Sequence, residues 1–242
     1  MYDAYSRMEV LLGKKGVNCL GSAKIAVFGL GGAGSYVVEA LARCGVGSLT
    51  LVDPETVSMT NINRQLYALH TTVGQKKVQI AKERIRDIDE DILVHTYETF
   101  YNKDTAGMFD LRSYDYIVDA TDTIDSKILL IEMAHRAGVP VISCMATENK
   151  INPSRFEIAD ISKIAKDPTV KRMRAELRKQ GIRKVKVLYY NPWKHHKFYS
   201  KLYKTCQMIS FYSFHIFCKL NSNANGNTIR DRKRKLHTIT NK

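Results

Sequence analysis

The 242-residue chain is long enough to bury one sizeable α/β core, and its formal net charge is +14. Residues 189–242 carry 11 Lys and Arg against one Asp, so +10 of that charge lies in the last 54 residues. The first 188 residues are therefore nearly balanced in charge. Because aromatic and His residues are also concentrated in the last part, we predict a boundary near Tyr190.

The cysteine spacing and the hydropathy exclude several classes of protein. The five cysteines form no C-x-x-C pair, so we predict neither a zinc knuckle nor a disulfide framework. No signal-like segment opens the chain, and no apolar run reaches about 18 residues. We therefore expect a cytoplasmic protein that does not enter a membrane.

Strands and helices alternate along the first 143 residues. Buried parallel strands are typically β-branched or apolar, and the predicted strands have this composition. Such an alternation predicts an α/β fold, a doubly wound, Rossmann-like and mostly parallel sheet with helices on both faces. The predicted elements are a short helix at 5–12, strand 24–28, helix 35–44, strand 48–53, helix 75–88, strand 92–97, strand 116–119, helix 124–137 and strand 140–143.

A glycine-rich turn, GLGGAGS, joins the first strand to the next helix. Gly29 suits the tight turn, Gly31 and Gly32 leave room for a phosphate beside backbone N–H groups, and Gly34 allows close helix packing. Asp53 ends the second strand, where a carboxylate accepts hydrogen bonds from ribose hydroxyls. The pattern predicts a nucleotide site without identifying the nucleotide.

The residues after Asp53 favour phosphoryl chemistry over hydride transfer. Asn61 and Arg64 follow the second strand, and Lys77 begins a predicted helix. Asp122 lies in DATD at the end of the fourth strand, on the same sheet edge. Cations neutralise charge on the phosphates, and a carboxylate holds Mg²⁺.

Taken together, GLGGAGS, Asp53, TNINRQ, VGQK and DATD resemble the ThiF/MoeB/HesA-type adenylating enzymes, relatives of the ubiquitin-activating enzymes. The resemblance implies ATP and Mg²⁺ as cofactors, with the magnesium at Asp122. It implies that the nucleotide is bound by Gly29, Gly31, Gly32, Ala33, Gly34, Asp53 and Gln65, and that Arg7, Asn61, Arg64, Lys77 and Asp122 are catalytic. Since YSRMEVLLG is similar to a segment whose arginine enters the partner subunit's site, a homodimer is implied too.

The stretch from Ser143 to Ile182 resembles one branch of that family, the tRNA threonylcarbamoyladenosine dehydratases in their form without zinc cysteines. These enzymes adenylate the carboxylate of the threonylcarbamoyl group on adenosine 37 of tRNA, and ring closure then expels AMP. A strongly basic segment supports tRNA as the partner, because cations bind the phosphate backbone. Its cations, opposed by Asp167 and Glu176, are Lys163, Lys166, Lys171, Arg172, Arg174, Arg178, Lys179, Arg183, Lys184 and Lys186.

Two other functions remain open at this point. One is adenylation of the C-terminus of a ubiquitin-like sulfur-carrier protein, with a carrier or sulfur-donor protein as partner. The other is a nucleotide-binding module without catalysis, or an NAD(P) oxidoreductase. Cys144 ends an apolar strand and is predicted to be a core residue rather than a nucleophile.

We predict that residues 1–188 form the ATP-binding adenylating domain and that residues 189–242 form a divergent, poorly ordered basic and aromatic tail. The tail lacks a sustained helical period, and we favour an altered terminus that impairs catalysis and dimerisation. The alternative is an RNA-binding extension, because aromatic side chains stack on bases.

Overall fold

The computed structural model describes residues 4–145, 155–164 and 167–191. Seven strands form one sheet in the order β3-β2-β1-β4-β5-β7-β6. Every strand pair is parallel except β6 and β7, which are antiparallel. The elements are α1 Ser6–Gly21, β1 Lys24–Phe28, α2 Gly34–Arg43, β2 Ser48–Val52, α3 Lys77–Ile88, β3 Leu93–Tyr97, β4 Tyr116–Asp119, α4 Ile124–Ala137, β5 Val141–Cys144, β6 Phe156–Asp160, α5 Pro168–Lys179 and β7 Lys186–Tyr190.

Helices cover both faces of this sheet. Successive strand residues point to opposite sides, so neighbouring residues of one strand pack against helices on different faces. In β1, Val27 packs into a core cluster with residues of α2 and α3. Its neighbour Phe28 packs into a second cluster that includes Leu130 of α4. A third cluster joins α4 to α5, through Ile131 and Met173. The predicted doubly wound, mostly parallel architecture is confirmed.

The structure differs from the predicted elements at both ends of the domain. The first helix continues to Gly21, with a kink at Gly13, whose φ of 69° is left-handed and favours glycine. Strands β6 and β7 were not predicted, and β7 ends at Tyr190, two residues beyond residue 188, the predicted end of the adenylating domain. The rest of the predicted tail, from residue 192 onward, lies outside the described residues. Within those residues, no helix is long and apolar enough to cross a membrane.

Candidate nucleotide-binding site

The carboxyl ends of four neighbouring strands meet at one edge of the sheet. Register pairing places Phe28 of β1 beside Val52 of β2 and beside Asp119 of β4. Asp119 in turn lies beside Ser143 of β5. Strand order reverses between β1 and β4, and ligands of doubly wound sheets bind at such a point. The glycine loop, the loop after β2 and the DATD segment therefore converge here.

The glycine loop is shaped by two close backbone contacts. Gly29 has a φ of 90°, and a Cβ there would lie 2.4 Å from the carbonyl oxygen of Ala120. A Cβ on Gly34 would lie 1.8 Å from the carbonyl oxygen of Gly29, so α2 begins directly against the turn. By contrast, a Cβ on Gly31 would meet only Nε2 of Gln65, at 3.9 Å. Gly31 is thus bordered there by the Gln65 side chain alone, three residues before α2 begins, and the N–H groups at a helix start favour an anion.

A cavity of about 220 Å³ opens beside this loop. Six of the predicted site residues line it: Gly31, Gly32, Ala33, Arg64, Gln65 and Asp122. Thr121, Lys127, Cys144 and Met145 also contribute, as does Thr169 of α5. The glycine loop, a cation from the loop after β2 and a carboxylate after β4 therefore share one cavity. Gly29, Gly34, Asp53, Asn61, Lys77 and Arg7 lie outside its lining.

Asp53 ties the glycine loop to the end of β2. Its Oδ2 accepts from the backbone N–H of Leu30 at 2.6 Å, and its Oδ1 accepts from that of Glu55 at 2.8 Å. Burial raises the pKa of this carboxyl, while the Leu30 hydrogen bond and the charge of Lys77 counteract the rise. Each oxygen keeps a second lone-pair site that could accept from one further donor.

Lys77 begins α3, and its side chain is held close to Asp53. The residue is 1% exposed, and its ammonium donates to Oε2 of Glu55 at 2.5 Å. The backbone N–H of Lys77 also donates to the carbonyl oxygen of Glu55. The predicted phosphate ligand is thus paired with a carboxylate that the sequence analysis did not single out.

Asn61 and Arg64 share the short helical turn after β2. Oδ1 of the buried Asn61 accepts from the backbone N–H of Ser58 at 3.1 Å and so caps this turn. The Arg64 guanidinium donates to the carbonyl oxygen of Thr60 at 2.6 Å and to Oδ1 of Asn63 at 3.2 Å. The turn therefore fixes the Arg64 side chain, which lines the cavity.

Arg7 is exposed on α1 and does not line the cavity of its own chain. Asp122 is exposed on the loop after β4 and does line it. Within the described residues, no group of three or more His, Cys, Asp or Glu side chains is arranged to hold a metal ion. Asp122 is the acidic side chain in the lining of the cavity.

Lys127 is a cavity residue that the sequence analysis missed. It is 4% exposed, and its ammonium lies 3.3 Å from Oδ1 of Asp119. Asp119 is fully buried and also accepts from the Thr121 hydroxyl at 2.7 Å and the Ser143 hydroxyl at 2.5 Å. Asp119 is thus a structural acceptor, and Lys127, its partner in a buried ion pair, lines the cavity.

Cys144 lies at the end of β5, between this ion pair and the hydrophobic core. It is 5% exposed, and burial raises the pKa of its thiol to about 12. A thiol with that pKa is protonated at neutral pH and is a poor nucleophile. The predicted core role of Cys144 is confirmed, although the residue also borders the cavity.

Comparison with known proteins identifies the family to which this chain belongs. The sequence profile of the ThiF family matches residues 5–217, which is most of the chain. This chain belongs to the ThiF family. The match includes every predicted site residue and extends into the segment predicted as a divergent tail.

Several ThiF-family enzymes named tRNA threonylcarbamoyladenosine dehydratase are similar in sequence. The Bacillus subtilis enzyme is 47% identical over 184 residues, which cover 76% of this chain and 72% of that enzyme. The Escherichia coli enzyme is 34% identical over 69% of this chain and 63% of its own length. The Haemophilus influenzae enzyme is 39% identical over 66% of this chain and 61% of its own length. The chain thus spans less than two thirds of the last two enzymes.

Solved structures of the dehydratase share the ThiF-family fold described above. The Escherichia coli enzyme TcdA in complex with ATP superposes with a TM-score of 0.80 and 28% identity, covering 93% of this chain and 96% of that one. The same enzyme in complex with AMP superposes with a TM-score of 0.79 and 28% identity, covering 93% and 98%.

Proposed function

We propose that this ThiF-family protein is an ATP-dependent dehydratase that acts on threonylcarbamoyladenosine at position 37 of tRNA. The observation that carries the proposal is the single cavity lined by the glycine loop, Arg64 and Asp122. This cavity occurs in a chain 47% identical to an enzyme named for that reaction. The superposition with TcdA holding ATP supports ATP as the nucleotide.

The proposed reaction has two steps. In the first, a carboxylate oxygen of the threonylcarbamoyl group attacks the α-phosphorus of ATP, and pyrophosphate leaves. In the second, the carbamoyl group of the same substituent attacks the activated carboxyl carbon and gives up a proton, and AMP leaves with the former carboxylate oxygen. One water is lost overall and no thiol is needed, which agrees with the protonated Cys144.

Cations supply the stabilisation that the first step requires. Arg64 lines the cavity, and Lys77 is proposed to exchange its Glu55 partner for a phosphate oxygen. A preorganised positive group beside the negative charge that develops in the transition state typically lowers the activation free energy by about 3 kcal/mol. Asp53 is proposed to hold the ribose, Gln65 and the glycine loop to hold the phosphates, and Asn61 to keep the Arg64 turn in place.

We propose that Mg²⁺ enters with ATP rather than as a resident ion. Mg²⁺ is usually held by one or two carboxylates together with substrate phosphates. Asp122 is an exposed carboxylate on the cavity wall, which suits an ion shared with the nucleotide rather than an ion enclosed by protein ligands. When bound, the ion would neutralise charge on the phosphates of ATP.

We propose that two copies of the chain form a homodimer in which Arg7 serves the partner's site. The exposure of Arg7 supports this, since it does not reach the cavity of its own chain. The same helix exposes Val10 at 86% and Leu11 at 72%. Mixing Arg7→Ala protein with Asp122→Ala protein tests the proposal: restored activity supports a shared site, and no restoration contradicts it.

The proposed function is tested by measuring AMP and pyrophosphate release from ATP. Release is expected with tRNA that carries threonylcarbamoyladenosine, and not with tRNA that lacks the modification. Release that instead depends on a ubiquitin-like carrier protein would favour the sulfur-carrier alternative. Absence of ATP binding would contradict adenylation altogether.

A further inference from the structure

Helix α5 presents a basic face to solvent and an apolar face to the core. Val170, Met173 and Leu177 are buried against α4, at the spacing of one helical face. The exposed residues of the helix include Lys171, Arg172, Arg178 and Lys179. The sequence of α5 therefore determines which side carries the positive charge.

The basic face of α5 begins at the nucleotide cavity. Asp167 caps the helix by accepting from the backbone N–H of Val170 at 3.0 Å. Thr169, in the first turn, lines the cavity. Arg172 bonds to Asp125 of α4 at 3.1 Å, three residues after the cavity residue Asp122. The exposed cations of α5 thus start within one helical turn of the cavity wall.

Some of the cations in this segment already have partners, and others do not. Arg174 donates to the carbonyl oxygen of Ile164 at 2.9 Å, and Lys179 pairs with Glu176 at 2.8 Å. Between Lys171 and Lys184, four exposed cations make no ion pair within the part of the chain that the structure describes: Lys171, Arg178, Arg183 and Lys184. Lys163 and Lys186, outside that range, are exposed as well.

We infer that these four cations form the surface on which the phosphate backbone of tRNA lies while the modified nucleoside occupies the cavity. The inference rests on the proposed function. From Lys171 to Lys179 the helix extends roughly 12 Å, at about 1.5 Å per residue. Arg183 and Lys184 prolong the surface beyond the turn at Gly181. Phosphate contacts of this kind position a nucleic acid without reading its sequence.

The test compares two full-length variants that lose the same charge. The first carries Lys171→Gln, Arg178→Gln, Arg183→Gln and Lys184→Gln. The control carries Lys24→Gln, Arg86→Gln, Lys103→Gln and Arg112→Gln, which are exposed elsewhere on the domain. Binding of an anticodon stem-loop RNA is followed by fluorescence anisotropy over a range of salt concentrations. Binding of ATP is measured on the same samples.

We expect the α5 variant to bind the RNA about tenfold more weakly and with a smaller salt slope, because fewer counterions are released. The control should retain nearly wild-type RNA affinity, and both variants should bind ATP as the wild type does. Equal weakening in the two variants would overturn the inference, because net charge alone would then explain it. A wild type that binds the RNA but dehydrates no modified tRNA would contradict the proposed function, whereas the variants would still decide the location of the surface.

Discussion

The ammonium of Lys77 lies 2.5 Å from Oε2 of Glu55, although Lys77 is only 1% exposed and the Glu55 side chain is 55% exposed. The lysine of this pair is therefore buried, and the glutamate is about half exposed to solvent. Because the ammonium end of this pair is buried, it needs another partner when Glu55 turns away, and we propose that a phosphate oxygen of ATP takes that place. We interpret the pair as the arrangement of Lys77 before ATP binds.

Replacing Lys77 tests its part in adenylation. Lys77→Met keeps the length of the side chain and removes the charge, so we expect ATP–pyrophosphate exchange to fall about a hundredfold, the equivalent of about 3 kcal/mol. Lys76→Met is the matched control, since that half-buried neighbour pairs with Glu98 at 3.7 Å. Equal exchange rates in the two variants would remove Lys77 from the proposed machinery.

The buried pair of Lys127 and Asp119 predicts a stability effect. Lys127→Met leaves the carboxylate of Asp119 buried without its cation, and breaking such a pair typically costs about 3–5 kcal/mol. Adding Asp119→Asn removes the orphaned charge, so the double variant should regain most of the lost free energy of unfolding. Urea denaturation measures both values. A single variant as stable as the wild type would show that the pair contributes nothing.

The thiol of Cys144 should be unreactive near neutral pH. Because burial raises its pKa to about 12, almost no thiolate is present at pH 8. Iodoacetamide should therefore modify Cys19, which is partly exposed, long before Cys144. Peptide mass spectrometry follows both sites. Rapid modification of Cys144 in the folded protein would contradict this prediction and would make Cys144 a candidate nucleophile.

Glu39 of α2 links stability to pH. Burial acts to raise its pKa, but hydrogen bonds from Arg84 at 2.5 and 2.9 Å and from Arg43 at 2.8 Å hold the pKa below its usual value of 4.5. A lowered pKa means that the ionised form favours folding. Its contribution is complete above about pH 4.5 and is lost as the pH falls through the folded-state pKa.

The matched comparison for Glu39 is with Glu39→Gln. The wild type should exceed this variant in free energy of unfolding at neutral pH, and the difference should shrink as the pH falls below 4.5. Chemical denaturation at several pH values measures it. A difference that grows on acidification would have the opposite sign and would refute the assignment.

The sheet was predictable because glycine positions and apolar strands constrain it strongly. Gly29 and Gly34 occupy places where a Cβ would collide with backbone, and the strands from β1 to β5 keep an apolar composition. Strands β6 and β7 were missed because they pair antiparallel to each other, with α5 between them. They therefore depart from the parallel strand–helix–strand pattern from which the other strands were predicted.

The site residues on loops at the sheet edge were predictable from the sequence. The side chains that support them from helices, or that pair with them only in the folded chain, were harder to predict. Lys127 was missed although it shares a spacing with Leu130, Ile131 and Ala134, which places it on the buried face of α4. That register was the signal that could have identified it. Glu55, by contrast, has no such pattern, since only the tertiary fold brings it to Lys77.

The most direct test is mass spectrometry of nucleosides from tRNA that carries threonylcarbamoyladenosine, after incubation with this protein and ATP. We predict a nucleoside lighter than threonylcarbamoyladenosine by one water, formed only with ATP and accompanied by AMP. Unchanged threonylcarbamoyladenosine, in samples where the protein binds ATP, would contradict the assignment of this cavity to tRNA dehydration.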